Sequence, residues 1–186
     1  MNDQFYIQKV IEGDVESFRF LIDRYKDKAF SVTFSIIRNE VYCEDIVQES
    51  FIKAYTNIKT FRGDASFSTW LMRIVVNESF KVLRRKKLEN NYQIEATETN
   101  ELELNTSLKL IKEEEQKIYI DKTLKQMPQR EALVLELFYL NDMRLKEMEE
   151  IMELNSDHIK VLLHRSRKLF FSILKQELQH EVKTLI

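Results

Sequence analysis

The sequence predicts an all-α protein: two small helical domains joined by an acidic linker, the second domain a helix-turn-helix. Three observations lead there. Only two glycines (Gly13, Gly63) and one proline (Pro128) occur among 186 residues, too few for the turns an all-β chain needs. Apolar residues recur at helical spacing in both halves. Between Leu88 and Glu115 that spacing fades, and eight glutamates stand against two lysines, a local charge of −6. The reading is therefore a domain over residues 1–88, a linker over 89–112 and a domain over 113–186.

In the first half, Phe18, Leu21, Ile22, Tyr25 and Ala29 fall on one helical face. A second helix is expected over Glu44–Ile58, with Val47, Phe51, Ala54, Tyr55 and Ile58 inward and two acids at its positive end. Residues Lys59–Ser68, with Gly63 and Asp64, form a break, and a third helix resumes near Thr69 with Leu71, Ile74 and Val75 inward. In the second half, Ile120, Leu124 and Met127 lead to Pro128, which starts a helix but cannot continue one. Leu133, Leu137 and Leu140 follow at helical spacing. After a break at Asn141–Asp142 come Leu145, Met148, Ile151 and Met152. After another at Leu154–Asn155, Ser156 is the expected N-cap of a last helix that turns Ile159, Leu162, Leu163, Ser166 and Phe170 inward.

A formal charge of −2 excludes a protein that coats nucleic acid by bulk charge, so any contact with DNA must come from local patches. One such patch lies in the last helix. From Ser156 to Phe170 four basic residues face one acid, and Asp157, Lys160, Val161, His164 and Lys168 lie opposite the apolar stripe. Two short helices joined by a tight turn, the second basic on its outer face, describe a helix-turn-helix whose second helix enters a major groove. Arg165, Arg167 and Lys168 suit phosphates. A second patch runs from Arg73 to Lys87, with six basic residues and one acid, directly after a loop bearing Phe61, Arg62, Phe67 and Trp70. Aromatics beside cations suit unstacked single-stranded DNA, although Phe67 and Trp70 taken singly are better read as core. By periodicity alone, both patches also fit the solvated faces of ordinary helices.

No catalytic constellation is visible. The three histidines (158, 164, 180) lack metal spacing, and there is no glycine-rich phosphate loop, so neither an enzyme nor a metal or other cofactor is expected. Cys43 alone cannot form an internal disulfide. Residues 1–10 show no signal-peptide pattern, and no stretch approaches the roughly 18 apolar residues of a membrane span, so the expected compartment is the cytoplasm.

The run Glu44-Asp45-Ile46-Val47-Gln48-Glu49-Ser50-Phe51, then Phe61-Arg62, Phe67-Ser68-Thr69-Trp70-Leu71, Arg73-Ile74 and Asn77, resembles region 2 of extracytoplasmic-function sigma factors. Met127-Pro128-Gln129-Arg130, Lys146-Glu147-Met148, Ile159-Lys160 and Leu163-His164-Arg165-Ser166-Arg167-Lys168 resemble region 4 of the same family. The resemblance implies a non-enzymatic subunit that binds core RNA polymerase and directs it to promoters. Asp45, Gln48 and Glu49 would grip the polymerase coiled-coil clamp. Phe61, Arg62, Phe67, Arg73, Asn77, Lys81, Arg84 and Arg85 would hold the melted −10 element. Ser156, Asp157, His158, Lys160, Val161, His164, Arg165, Arg167 and Lys168 would read the −35 duplex. An anti-sigma factor is a further implied partner, while no small-molecule substrate or membrane insertion is.

Three positions depart from the family pattern. Lys81 stands where an aspartate is usual, the helix-turn-helix lacks its common glycine, and Val161-Leu162 replaces a more polar pair. Two other functions remain open on the residues alone: a stand-alone helix-turn-helix regulator with an N-terminal sensor, and a helical adaptor whose basic clusters are incidental.

Overall fold

The computed structural model describes residues 3–90 and 113–184, and among these every regular element is helical. Helix α1 (Asp3–Ile11) lays Tyr6, Ile7 and Val10 along α2 (Glu16–Ile37). Helix α2 buries Phe18, Leu21, Tyr25, Ala29, Val32 and Ile36, the stripe its spacing predicts and two turns more. It stops at Arg38, whose φ of 58° is the left-handed conformation that closes a helix. Helix α3 (Glu40–Thr56) begins four residues earlier than expected, because the Asn39 side chain accepts the Tyr42 N–H and starts the helix ahead of its first buried residue, Cys43. Tyr55, expected inside, sits at the exposed margin. A 3₁₀ turn (Ile58–Thr60) and an irregular loop lead to α4 (Phe67–Asn90), where the Ser66 hydroxyl accepts the Thr69 N–H at 3.1 Å. Helices α2, α3 and α4 pack against one another as a bundle.

The second unit contains α5 (Glu113–Gln126), α6 (Gln129–Leu135), a π-helical turn (Glu136–Leu140), α7 (Leu145–Met152) and α8 (Ser156–Thr184). Pro128 precedes α6, as its missing N–H allows. The π turn overrides the expected helical spacing: its wider ring rotates Leu140 out of line, leaving it 51% exposed, while Leu137 stays buried. Between α7 and α8, Glu153 rather than a glycine takes the left-handed position (φ 54°). Asn155 rather than Ser156 caps α8, its side chain accepting the His158 N–H at 2.9 Å. The expected acidic linker lies outside the described residues, except that α4 extends through residues 89 and 90. No described helix is long and apolar enough to cross a membrane.

The two units share one continuous apolar core, since α2 packs on α6 and α4 packs on α7. Two tethered modules were expected, and nothing in the periodicity of either half marks this contact. At the seam, Glu136 is only 3% exposed. Its Oε1 accepts the Ser31 hydroxyl from α2 and the Asn141 side-chain N–H at 3.1 Å. Burial raises its pKa above the ordinary glutamate range, and the nearby Asp121 adds to the shift, while the two hydrogen bonds oppose it.

A carboxyl whose folded pKa is raised binds its proton more tightly in the folded state. The stability it contributes is complete at low pH and is lost as pH climbs from the ordinary glutamate range through the raised value. Glu136→Gln keeps an oxygen for both donors and removes the buried charge. Near neutral pH it is expected to raise Tm by about 2–4 °C, equivalent to about 1 kcal/mol, with a gain that shrinks on acidification. Thermal melts of both proteins across that range check this, and a lower Tm at neutral pH contradicts it.

Candidate nucleic-acid interface

The last helix presents the outer face its spacing predicts. Ile159, Leu163 and Ser166 are buried, which turns Asp157, His158, Lys160, Val161, His164, Arg165 and Lys168 to solvent. Val161 is 50% exposed in the middle of this face, with Lys160 and His164 beside it. Lys160 reaches back to Asp157 at 3.3 Å. Two predicted residues stand apart. Ser156 is half-buried at the first helical position. Arg167 lies at the edge of the buried stripe, its guanidinium over the Tyr139 ring, 5.7 Å from the centroid. There it lines an apolar groove with Tyr119, Leu124 and Phe170. Leu162 is half-buried, so of the two departures in this helix only Val161 can meet a base edge.

On α4 the buried stripe Leu71, Met72, Val75, Val76 and Ser79 leaves Arg73, Asn77, Lys81 and Arg84 along one exposed face, with Arg85 beside it. The preceding loop turns at Gly63 (φ 79°) and exposes Arg62. Phe67 is 2% exposed and packs on Tyr25, Phe61 and Trp70, with ring centroids 5.6–5.8 Å apart. It therefore supports the loop from below and offers no face to a base. Phe61 is half-buried, its ring packed edge-on against Phe67 and tilted against Trp70.

Asp45, Gln48 and Glu49 are exposed and share one side of α3 because Cys43, Ile46 and Ser50 are buried on the other. The same helical spacing puts Val41 (69% exposed) and Ile52 (50% exposed) among them. Reading the sequence for charge missed these two residues. Their signal was available, since both break the apolar stripe that runs through Cys43, Ile46 and Ser50. An ion-pair chain then joins this face to α4. Lys53 meets Glu49 at 3.7 Å and Glu78 at 2.6 Å, and Glu78 meets Lys81 at 3.7 Å. Lys81, the residue expected to add free positive charge, thus has a carboxylate beside it. The hydrogen bond to Glu78 holds the Lys53 ammonium above its ordinary range. Cys43 lies on the buried side of α3, and burial pushes its thiol up to about 11, which leaves it unreactive.

Two exposed basic faces on separate helices, one of them on a helix-turn-helix, coincide with two family matches. Residues 21–89 match Sigma-70 region 2, and residues 117–170 match Sigma-70, region 4. Over 170 residues the chain is 31% identical to the ECF RNA polymerase sigma factor SigW of Bacillus subtilis, covering 87% of this chain and 91% of that protein. The chain belongs to the extracytoplasmic-function sigma factors. The ECF RNA polymerase sigma-E factor of Haemophilus influenzae is 30% identical over 91% of this chain and 93% of its own length. Among solved structures, CnrH in complex with the cytosolic domain of CnrY matches with a TM-score of 0.68 at 19% identity, covering 94% of this chain and 97% of CnrH. RpoE of Bartonella quintana, in complex with the anti-sigma factor NepR, matches with a TM-score of 0.67 at 19% identity, covering 87% and 98%. These two establish likeness of fold.

As a sigma factor, the chain binds core RNA polymerase and directs promoter-specific initiation, recognising the −35 element as duplex and the −10 element melted. Sigma factors select promoters and are not themselves enzymes. A stand-alone regulator would not carry region 2 across its N-terminal half.

Proposed function

We propose that the work of initiation is divided among three faces of this sigma factor. The outer side of α3 grips polymerase, with Asp45, Gln48 and Glu49 facing a basic partner and Val41 and Ile52 as apolar anchors between them. Apolar anchors ringed by polar groups are the usual composition of a protein interface. The α4 face, with Arg73, Asn77, Lys81, Arg84 and Arg85, takes the melted −10 strand, and Phe61 and Arg62 receive an extruded base. The α8 face reads the −35 duplex, Arg165 and Lys168 on phosphates and Val161 against a thymine methyl. Binding is capture: transient melting exposes the strand, and its retention on α4 shifts the equilibrium toward the open promoter. The chain works in the cytoplasm, has no catalytic activity of its own, and is held in reserve by an anti-sigma factor. That partner is supported by the fold shared with CnrH and RpoE, which are solved in such company. The observation that carries the reading is the presence of all three faces, exposed and distinct, in one chain.

Transcription by core polymerase supplied with this chain alone tests the whole reading, and failure to initiate at any promoter defeats it. Ile52→Ala is expected to weaken polymerase binding about tenfold with Tm unchanged, and Asp45→Lys with Glu49→Lys to weaken it further. Unchanged affinity would remove α3 from the contact.

Arg165→Ala and Lys168→Ala should each lower promoter affinity of the holoenzyme and reduce its salt slope by about 1. Arg167→Ala, because of its seat on Tyr139, should leave the slope where it is. A slope that drops equally for all three places Arg167 on a phosphate after all.

Replacing each −35 thymine in turn by deoxyuridine removes one methyl. At the position that Val161 covers, affinity is expected to fall roughly fourfold, as for one buried methyl group. In Val161→Gly the same replacement should have no effect. A fall that persists in the variant rules out this contact.

A further inference from the structure

Four charged side chains of alternating sign run from the outer side of α3 to the outer side of α4. Glu49, on the face proposed to grip polymerase, meets Lys53 one turn further along at 3.7 Å. Lys53 crosses to α4 and reaches Glu78 Oε2 at 2.6 Å. Lys81, almost one turn after Glu78, approaches that same oxygen at 3.7 Å. The ends of the chain are open to water, with 53% of the Glu49 side chain and 66% of the Lys81 side chain exposed. The middle is sheltered, with 32% exposure for Lys53 and 18% for Glu78. Two lysines therefore share one carboxylate oxygen, and Lys53 holds it more closely.

These four groups carry no net charge between them. A partner cation that takes Glu49 leaves three groups with one positive charge in excess, and the two lysines then compete for Glu78. Lys53 has the shorter contact and the less watery surroundings, so its attraction to Glu78 is the less screened. The hydrogen bond to Glu78 already holds its ammonium above the ordinary range. Lys81 has the longer contact and more water around it. The excess charge therefore emerges on Lys81, on the face that carries Arg73, Asn77 and Arg84. Each link is well inside the roughly 10 Å over which salt at about 0.1 M screens charge, so the groups stay coupled in ordinary buffer. The aspartate that is usual in the family at position 81 would leave the chain without a cation to release.

We infer that Lys53 and Glu78 are positioning residues for promoter recognition: they relay the capture of Glu49 by polymerase to Lys81, which is released to bind the melted strand. They act through their neighbours rather than on either partner. By linkage the relay runs both ways, since DNA on Lys81 leaves Glu78 to Lys53 and makes Glu49 more available to polymerase. The inference rests on the proposed roles of Glu49 and Lys81, and its test separates the relay from those roles.

The probe is a labelled single-stranded −10 oligonucleotide from a promoter that this chain uses, titrated by fluorescence anisotropy with the free chain and with holoenzyme. Lys81→Met is expected to cost less than about twofold in the free chain. In holoenzyme it should cost about threefold or more and lower the salt slope by about 0.7, as for one phosphate on a single strand. In a Lys53→Met background Glu78 keeps Lys81 in both states, so the two costs should become equal and small, and Lys53→Arg should restore the difference. Loss of stability alone would not make one substitution count differently in the two states. A second comparison needs no polymerase. Glu49→Gln, at an exposed position, removes the carboxylate as polymerase would and should tighten oligonucleotide binding by the free chain about threefold. Glu44→Gln takes the same charge off α3 without touching Lys53 and should change it by less than about 1.5-fold. Equal costs of Lys81→Met in both states overturn the relay while leaving Lys81 on the DNA, if those costs are threefold or more. A difference that survives Lys53→Met overturns it as well, and so does a Glu49→Gln chain that binds no better than Glu44→Gln. Should Lys81→Met cost nothing in either state, Lys81 is not a promoter contact, and the proposed α4 face loses that residue together with the relay.

Discussion

Helix α4 has to satisfy three demands on one cylinder, and the rest of the molecule is arranged around that constraint. One side must be apolar enough to join the bundle with α2 and α3, and Leu71, Met72, Val75 and Val76 are fully or almost fully buried there. A second side must carry exposed cations and an amide, which Arg73, Asn77, Lys81 and Arg84 provide. Its first turns must also meet α7 through Thr69 and Arg73. Only an α-helical period separates these duties cleanly, since residues one or two apart diverge while those three or four apart align. Arg73 alone serves two of these sides, exposed among the cations and paired with Glu153, so the other cations can be changed without touching the α7 contact.

Much of this was legible in the sequence, for physical reasons that differ from place to place. The stripe Phe18, Leu21, Tyr25 and Ala29 and the stripe Ile159, Leu163 and Ser166 are strongly periodic, and both are buried as expected. The start of α3 was misplaced because a cap is a matter of one side chain, Asn39, and Val41 and Tyr42 behind it are exposed apolar residues that blur the pattern. Leu140 was misplaced because a π turn has no spacing signature of its own. Phe67 was drawn toward the DNA side by its neighbours, Arg62 and Phe61, yet a ring of that size at the first turn of a bundled helix gains more by burial than by waiting for a base. Arg167 was grouped with Arg165 by proximity in sequence, but a helix turns about 100° per residue and places it at the margin, against Tyr139.

The seam between the units could not have been read from one sequence. Every contact in it links residues about 80 or more positions apart: Ser31 with Glu136, Arg38 with Met127, Thr69 with Glu147, Arg73 with Glu153. Each of these side chains, taken locally, is a polar residue on a helix and would be assigned to solvent. Helical periodicity distinguishes inside from outside but does not distinguish solvent from a partner of matching polarity.

The polar contacts at the rim of that seam contribute little to its stability. Water can replace a hydroxyl on Glu147 or a guanidinium on two carbonyls with modest net loss, because hydrogen bonds exchanged with solvent contribute about 0.5–1.5 kcal/mol each. Arg73 and Glu153 are more than half exposed, and a pair of that kind contributes still less. Glu136 works against closure near neutral pH, since its burial disfavours the charged form. Beneath these polar contacts the seam is apolar, since α2 packs on α6 and α4 on α7 within one continuous core. The polar rim, one contact of which is opposed by a buried carboxyl, therefore fixes how the units dock more than how firmly, and the apolar core beneath it holds them together.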